Sequence, residues 1–434
     1  MRSLSRRVAL LLYYQKFNRY SFNALVGAIE VTESLDYLPI FFAETSQKLM
    51  GVLDGLLERF DRVVVAFSFM TCQLFEVMKV VRSVRRKYSS RPILVAGGSH
   101  PTGDPKGTLE LGFDIVVRGE GERVFPELLE RIIFGLDYAS LGSVAFFDGK
   151  DYVVNPLAEK PDINCYPPFA VKHKRFGPIE ISRGCPWACR FCQTPFIFGV
   201  KVRHRSVQNI CKYVEIMRKE GLTDIRFISP NAFMYGSSDG KSVNVSAIEE
   251  LLSSVRKALG NRGRIFFGTF PSEVRPECVT TEVLELIKKY CNNDNIVIGA
   301  QSGSDRLLNY IGRGHSVEDI RRAVEFTLKS GLKVNVDFIF GLPGETKEDI
   351  ELTVKLIKEL AAMGARIHAH TFMPLVGTPF KDKPPGRINS KLRRELEMLI
   401  SAGKLYGQWQ TQELIAKRIS ELRKRGIIKD CGSP

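Results

Sequence analysis

The chain alternates short apolar runs with longer amphipathic ones, and it does so in two series. In the first 135 residues five short runs rich in β-branched and aromatic residues read as strands: Val8–Tyr13, Leu38–Phe42, Arg62–Phe67, Pro92–Ala96 and Asp114–Val117. Helical periodicity separates them, as at Leu74–Lys87 and Val124–Ile133. This alternation predicts a doubly wound, Rossmann-like α/β domain with a parallel sheet, whose ligands bind beyond the carboxyl ends of the strands. Three loops occupy those ends: Ser68-Phe69-Met70-Thr71, Gly97-Gly98-Ser99-His100-Pro101-Thr102 and Arg118-Gly119-Glu120-Gly121-Glu122.

Residues 136–177 read as a connector. It holds a hairpin around Asp148-Gly149 and an extended, proline-rich piece from Pro161 to Phe169. From Pro178 the second series begins, at wider spacing. Its candidate strands are Pro178–Ile181, Asp224–Ile228, Arg264–Thr269, Ile296–Ala300, Lys333–Phe340 and Arg366–Phe372. Helices are expected at Val207–Lys219, Ser246–Leu259, Thr281–Tyr290, Val317–Ser330 and Lys347–Met363. Ser316-x-x-Asp319 and Thr346-x-x-Asp349 put a cap and a first-turn carboxylate at two helix starts. Six β/α units over 178–380 predict a partial (β/α)6 barrel of the TIM type, with its active site at the strand carboxyl ends. Residues 381–434 read as a basic helical extension. Within it, Ser390 to Arg425 forms two amphipathic helices broken near Gly407, with Leu392, Leu396 and Leu399 on one face.

Composition adds bounds. A chain of 434 residues, 44% hydrophobic and 26% charged, is that of a globular protein of two or three domains. No apolar run approaches the length of a transmembrane helix. Met1 to Tyr14 has a basic lead and an apolar run, but no small-residue cleavage site follows, and a buried first strand is the reading adopted. The net charge is +15, and the last 54 residues carry 13 Lys and Arg against 6 Asp and Glu. Such a tail fits RNA, an anionic membrane surface or a solvated helix face.

The candidate chemistry is concentrated in Gly184-Cys185-Pro186-Trp187-Ala188-Cys189-Arg190-Phe191-Cys192. Iron–sulfur clusters are held by cysteine thiolates, ordinarily four. Three thiolates on a four-iron cube leave one iron free to take a substrate. Zinc is the competitor, but it wants four ligands, and His173 and His204 are each more than ten residues away. The remaining cysteines, Cys72, Cys165, Cys211, Cys278, Cys291 and Cys431, show no pairing pattern, which fits a reducing compartment and a cytoplasmic protein.

The Cys-x-x-x-Cys-x-Phe-Cys run resembles the signature of radical S-adenosylmethionine (SAM) enzymes. That resemblance implies a [4Fe-4S] cluster on Cys185, Cys189 and Cys192, whose open iron chelates SAM and whose electron cuts it to a 5′-deoxyadenosyl radical. It implies that Phe191 lies against the adenine, Asn231 near the SAM amino group, Gln301 and Ser302 near the ribose or carboxylate, and Arg313 on the carboxylate. An electron donor such as ferredoxin or flavodoxin is implied as partner.

The first series resembles the cobalamin (B12) binding domain. Ser68-x-Met70 is followed by 26 residues and then Gly97-Gly98. By resemblance Ser68, Met70, Thr71, Gly97, Gly98, Gly119 and Glu120 line the cofactor. The family's cobalt-ligating Asp-x-His-x-x-Gly is absent, since the chain reads Tyr13-Tyr14-Gln15-Lys16-Phe17-Asn18 there. Cobalt would thus lack a protein histidine. Together the resemblances imply a B12-dependent radical SAM methyltransferase acting on an unactivated carbon by way of methylcobalamin. The alternative is a radical enzyme, RNA-modifying or other, in which cobalamin is no methyl donor. A zinc- or cluster-bearing nucleic-acid-binding protein is the non-enzymatic rival. The substrate, whether small metabolite, lipid, peptide or RNA, is left open.

Overall fold

The computed structural model describes residues 7–429; Cys431 and the basic lead of the chain lie outside them. The chain forms two compact units. One runs to Gly177 and takes in Leu375–Gly377 and the chain from Glu421; the other comprises Pro178–Pro374 and Thr378–Ser420.

The first unit is built on one sheet. Its strands are β1 (Val8–Tyr13), β2 (Ile40–Ala43), β3 (Arg62–Ser68), β4 (Ile93–Gly97), β5 (Ile115–Val117), β6 (Val144–Phe147) and β7 (Tyr152–Val154), in the order β2-β1-β3-β4-β5-β6-β7. The first five are parallel. All six residues of β1 are buried, as a central strand covered on both faces requires. Helices Arg19–Glu30 and Gly121–Phe134 pack on one face through Phe22, Val26 and Ile29 with Leu128, Leu129 and Ile132. Helix Ser46–Arg59 packs against β1, β2 and β3 with Leu49, Leu53 and Leu56 buried. The order reverses between β1 and β3, which is where such sheets open for ligands. Asn18 holds that point: its Nδ2 donates to the carbonyls of Tyr13 and Ser68, both at 2.9 Å, and its Oδ1 accepts from Gln15 N at 2.7 Å.

The hairpin expected in a connector is instead the antiparallel edge of this sheet, with Ile115 opposite Phe146 and Val117 opposite Val144. The piece after it is equally integral. Helix Arg19–Glu30 presents Gly27 so closely to Phe169 that a Cβ there would lie 2.7 Å from the Phe169 carbonyl. Periodicity registers strands but not their partners, so an edge hairpin and a connector look alike in sequence.

The second unit begins with β8 (Ile179–Glu180), β9 (Ser182–Arg183) and β10 (Arg203–His204). It continues through β11 (Asp224–Ile228), β12 (Arg264–Phe266), β13 (Asn295–Gln301), β14 (Lys333–Phe340), β15 (Arg366–Thr371) and β16 (Leu405–Tyr406). Parallel ladders β12-β11-β8 and β13-β14-β15-β16 form the barrel wall. Past the end of β12, Val274 pairs with β13, donating to Val297 O at 2.8 Å and accepting from Gly299 N at 2.9 Å. The strand expected to reach Thr269 leaves its ladder after Phe266. Residues alternate cleanly on β14 and β15: Val334, Val336, Phe338, Phe340, Ile367 and Ala369 are fully buried, while Asp337, His368 and His370 on the other face are half-buried. Both expected caps are reciprocal capping boxes, Ser316 with Asp319 and Thr346 with Asp349.

The tail is not one extension. The break near Gly407 hides β16, which pairs in parallel with β15, and the residues from Glu421 belong to the first unit. Part of its charge is paired: Arg393 with Glu413 at 2.6 Å and Lys429 with Glu110 at 2.6 Å. Among the described residues no helix is long and apolar enough to cross a membrane.

Asn18 is 3% exposed, so its loss cannot be made good by water. Asn18→Ala strands two buried carbonyls and one N–H, and should destabilise the first unit by about 1–3 kcal/mol. Urea unfolding followed by fluorescence checks this; a midpoint unchanged from wild type would show that the loops are held without it.

Candidate functional site

The cysteine loop leaves the first barrel strand under tight backbone control. Ile181 N donates to Ile228 O at 2.9 Å, which fixes the loop's entry on the neighbouring strand. Gly184 has φ 91° and approaches the Lys201 carbonyl so closely that a Cβ would lie 2.3 Å from it, so only glycine fits. Cys185 N donates to Gly199 O at 3.0 Å, Arg190 N to Ile311 O at 3.0 Å, and Cys192 N to Cys189 O at 3.0 Å. Ala188 sits in the left-handed region at φ 48°, a conformation that costs free energy and clusters at functional sites.

Cys185, Cys189 and Cys192 all open on one cavity of about 370 Å³, together with Phe191, Gln301 and Arg313. Burial pushes the Cys185 and Cys192 thiols up. They are therefore not free nucleophiles; a metal centre would supply the positive charge that makes them thiolates. Neither histidine weighed as a zinc ligand is available to them. His204 is held by Ser182 Oγ at 2.8 Å and Ser237 O at 3.1 Å, and His173, in the first unit, by Glu30 at 2.8 Å.

Two guanidinium groups flank the thiols. Arg313 Nη1 donates toward Cys189 Sγ at 3.6 Å and Nη2 to Gly299 O at 2.6 Å. Arg275 donates to the Arg313 carbonyl and to Glu277, and its guanidinium lies 4.0 Å over the Trp187 ring. Burial, reinforced by Arg313, lowers the Arg275 pKa. Among the described residues Arg313 Nε and Arg275 Nη1 are buried without a partner. His315 is neutral: burial and both arginines drive its pKa down to about 2, and its Nε2 donates to Ala300 O at 3.1 Å.

The remaining candidates divide. Gln301 reaches the cavity from a bulge at the end of β13, with φ 74°. Asn231 is buried beside it in a smaller adjoining pocket with Cys185 and Trp187; its Nδ2 donates to Cys278 Sγ at 3.3 Å and its Oδ1 accepts from Arg275 N at 3.4 Å. Ser302 is not brought in. Its hydroxyl lies 3.3 Å from Thr353 Oγ1 and accepts from Ser304 N at 3.2 Å, because the bulge between Gly299 and Gln301 turns the chain at the end of β13. Arg275, Glu180, Glu273 and Asp337 face the cavity without having been singled out in the sequence. Burial raises the Glu273 pKa. Asp337 was readable only from the alternation along β14.

In the first unit the candidates gather at the carboxyl ends of β3, β4 and β5. Gly98 has φ 98°, and a Cβ would lie 2.8 Å from both Phe69 N and Phe69 O, so the β3 and β4 loops touch there through bare backbone. Phe69 N donates to Gly97 O at 3.1 Å and His100 N to Phe69 O at 3.2 Å. Gly119 N donates to Thr102 Oγ1 at 2.9 Å, which ties in the loop carrying Glu120. Thr71 is buried and Met70 exposed. His100 is 1% exposed; its Nδ1 lies 3.2 Å from Thr71 Oγ1, and burial lowers its pKa to about 3. Ser99 Oγ is buried with no partner among the described residues, a polar group left for a ligand at this edge.

The residues fit the groups their motifs point to. Three thiols and two under-bonded guanidinium groups suit an anionic cluster with an anion-bearing ligand, and the bare β3–β4 contact with Ser99 suits a bulky polar ligand.

Comparison with known proteins agrees. Residues 179–357 match the radical SAM superfamily and residues 51–129 the B12 binding domain. An uncharacterized methyltransferase, PH0819, of Pyrococcus horikoshii is 27% identical over 325 residues, covering 70% of this chain and 66% of that protein. A tRNA-2-methylthio-N(6)-dimethylallyladenosine synthase of Sulfurihydrogenibium is 29% identical over 228 residues, 52% of this chain and 50% of that one. The chain thus spans between half and two-thirds of these relatives' length. The fold matches that of TsrM of Kitasatospora setae, a radical S-adenosylmethionine methyltransferase solved with cobalamin and a [4Fe-4S] cluster. The TM-score is 0.65 at 17% identity, covering 87% of this chain and 78% of that one.

Anaerobic reconstitution should load about four irons per chain, and Cys185→Ala, Cys189→Ala or Cys192→Ala should each lose most of that iron while Cys72→Ala keeps it. Iron and sulfide analysis decides it; equal loading of all four variants would sink the assignment.

Glu345, in the loop after β14, makes a second test. Its Oε2 accepts from Gly341 N at 2.7 Å, its Oε1 is buried without a partner among the described residues, and burial raises its pKa to about 7. The folded state then binds this proton more tightly than the unfolded chain. The stability it lends is complete below the ordinary value of 4.5 and is lost as pH rises through about 7. Glu345→Gln cannot titrate, so its Tm relative to wild type should climb between about pH 5 and pH 8. A difference that stays flat across that window would mean Glu345 is ionised throughout.

Proposed function

The chain belongs to the radical SAM superfamily and carries a B12 binding domain, and from that premise we propose a methyltransferase that moves a methyl group from SAM, by way of cobalamin, to an unactivated carbon of its substrate. It is an enzyme, and its cofactors are a [4Fe-4S] cluster, SAM and cobalamin. When bound, the cluster supplies the electron that cuts SAM reductively, and cobalamin supplies a methyl group that a carbon-centred radical can accept.

This chain's residues hold and orient. Cys185, Cys189 and Cys192 would hold the cluster through their thiolates. Arg313, whose Nε has no partner among the described residues, takes the SAM carboxylate, and Gln301 and Asn231 take its polar groups. Phe191 covers the adenine. Ser302 acts at one remove, fixing the Gln301 turn through Thr353 and Ser304. In the first unit Ser68, Gly97 and Gly98 form the cofactor's backbone cradle, with Met70, Thr71, Gly119 and Glu120 around it. His100 is buried and engaged with Thr71, which supports cobalt without a protein histidine. The enzyme needs a reductant, which we take to be a ferredoxin or flavodoxin, and a cytoplasmic setting keeps the cysteines reduced.

The observation that carries this reading is the convergence of three thiols and two buried guanidinium groups on one cavity, in a chain that also carries the B12 domain. A methylthiotransferase, the kind of enzyme one relative is named for, would by resemblance need three further cysteines ahead of the barrel, and the first unit's sequence to Gly177 holds only Cys72 and Cys165.

With its substrate, the enzyme should consume two SAM molecules per turnover by different routes, yielding 5′-deoxyadenosine and S-adenosylhomocysteine in near-equal amounts. SAM labelled with deuterium on the methyl group should deliver that label to product, read by mass spectrometry. Deoxyadenosine without S-adenosylhomocysteine would point to another radical reaction and end the methyltransferase reading.

A further inference from the structure

The three thiols of the cysteine loop do not have equal surroundings. Cys185 takes a hydrogen bond from the Trp187 backbone and Cys192 from Thr194, so each is served by its own loop. Cys189 is 5% exposed, and among the described residues the donor to its sulfur is Arg313, 124 positions along the chain, with Nη1 at 3.6 Å from Sγ. The same guanidinium is fixed from its other side, where Nη2 donates to Gly299 O at 2.6 Å. Gly299 makes room for it: a Cβ there would lie 2.9 Å from Nη2. The Arg313 backbone is clamped as well, its N–H on Leu308 O at 2.9 Å and its carbonyl on the Arg275 guanidinium. Gly314 follows at φ 71°, with the Trp187 ring so near that a Cβ would lie 2.2 Å from it.

Charge points the same way. Arg313 is buried, and among the described residues no carboxylate pairs with it; Glu277, the acid on this wall, is engaged by Arg275. A buried cation without a counter-charge is costly, so the position calls for an anion. Thiolates on a metal cluster are such an anion. Reduction adds a further negative charge to a cluster held by thiolates, and a fixed cation one hydrogen bond away stabilises the reduced form more than the oxidised one. Hydrogen bonds to the sulfurs of a cluster set its potential for this reason. Nε, which neither contact uses, is left for the SAM carboxylate.

We propose that Arg313 is a tuning residue of the cluster as well as a SAM ligand: its Nη1–H donates to the Cys189 thiolate and raises the reduction potential of the cluster before SAM arrives. The proposal rests on a cluster held by the three cysteines and is independent of methyl transfer. No bond is made or broken; the effect is electrostatic. Because Gly299 and Leu308 hold the donor in place through protein backbone, the effect is present in SAM-free protein. A residue that met only SAM would have no effect there.

Full-length protein with its cluster loaded and no SAM present is titrated reductively with mediators, and the electron paramagnetic resonance signal of the reduced cluster gives the midpoint potential. Arg313→Gln should move it to lower potential. At a fixed solution potential the ratio of reduced to oxidised cluster should fall at least about tenfold, which is about 59 mV for one electron. Arg313→Lys keeps the charge but not the fork that reaches Cys189 and Gly299 together, and should lie between Arg313→Gln and wild type. Iron analysis and circular dichroism establish that each variant is loaded and folded. If Arg313→Gln takes up no iron, Arg313→Lys decides alone, by lying below wild type. A SAM-free potential in the loaded variants equal to or above that of wild type would overturn the proposal and leave Arg313 a SAM ligand only. Wild type that takes up no iron would sink the cluster assignment and the proposal with it.

Discussion

Charge compensation inside one cavity sets the terms for the second unit. Arg275 and Arg313 are both buried, and Glu277 is the carboxylate that meets Arg275. Burying a cation without its counter-charge is costly, and two close cations raise that cost. Without a metal the thiols of Cys185 and Cys192 are pushed toward the protonated form, and without an anion the guanidinium groups keep unused N–H bonds. Each set is what the other lacks: thiolates on a metal cluster lie beside donors already aimed at them. The site is thus built for a guest that brings negative donors and a metal together.

Holding that arrangement takes rigid backbone around it. The cysteine loop hangs on hydrogen bonds from Cys185 and Arg190 to Gly199 and Ile311, and Gly184 is wedged against Lys201. Gln301 and Ala188 sit at positive φ without being glycine, each a local cost borne by the packing around it. The loop after β13 is braced by Thr353, whose Oγ1 meets Ser302 Oγ and accepts from Gly303 N at 2.9 Å. The capping box at Thr346 starts the helix that carries Thr353, so a local sequence signal six residues past a strand end helps place a cavity residue.

What was legible in the sequence follows from the range of the interaction. Helices with an N-cap and an unbroken apolar stripe, such as Val207–Lys219, Thr281–Tyr290 and Lys347–Met363, lie where periodicity puts them. The cysteine triad and Phe191 are contiguous, so their convergence was readable. Pairing between distant strands was not: the hairpin that edges the first sheet, and the two-residue β16 hidden beside Gly407, carry no signal of their own partners. Side-chain direction at a bulge was equally hidden. Gln301 and Ser302 are neighbours in sequence and diverge in space because the register shifts between Gly299 and Gln301.

The same reasoning explains why Arg275 and Asp337 went unread. Arg275 acts through contacts 38 residues away, at the Arg313 carbonyl, and nothing beside it in sequence marks it. Asp337 is one polar residue in an alternating strand, and its meaning depends on what its face looks onto. Register supplies that: Asp337 lies opposite His368, on the face that looks into the cavity. In a parallel barrel the strands that build the wall are sequence-distant by construction, so chemistry shared between adjacent strands is the part a linear reading sees last. The cysteine loop is the exception, because one strand end carries the whole ligand set.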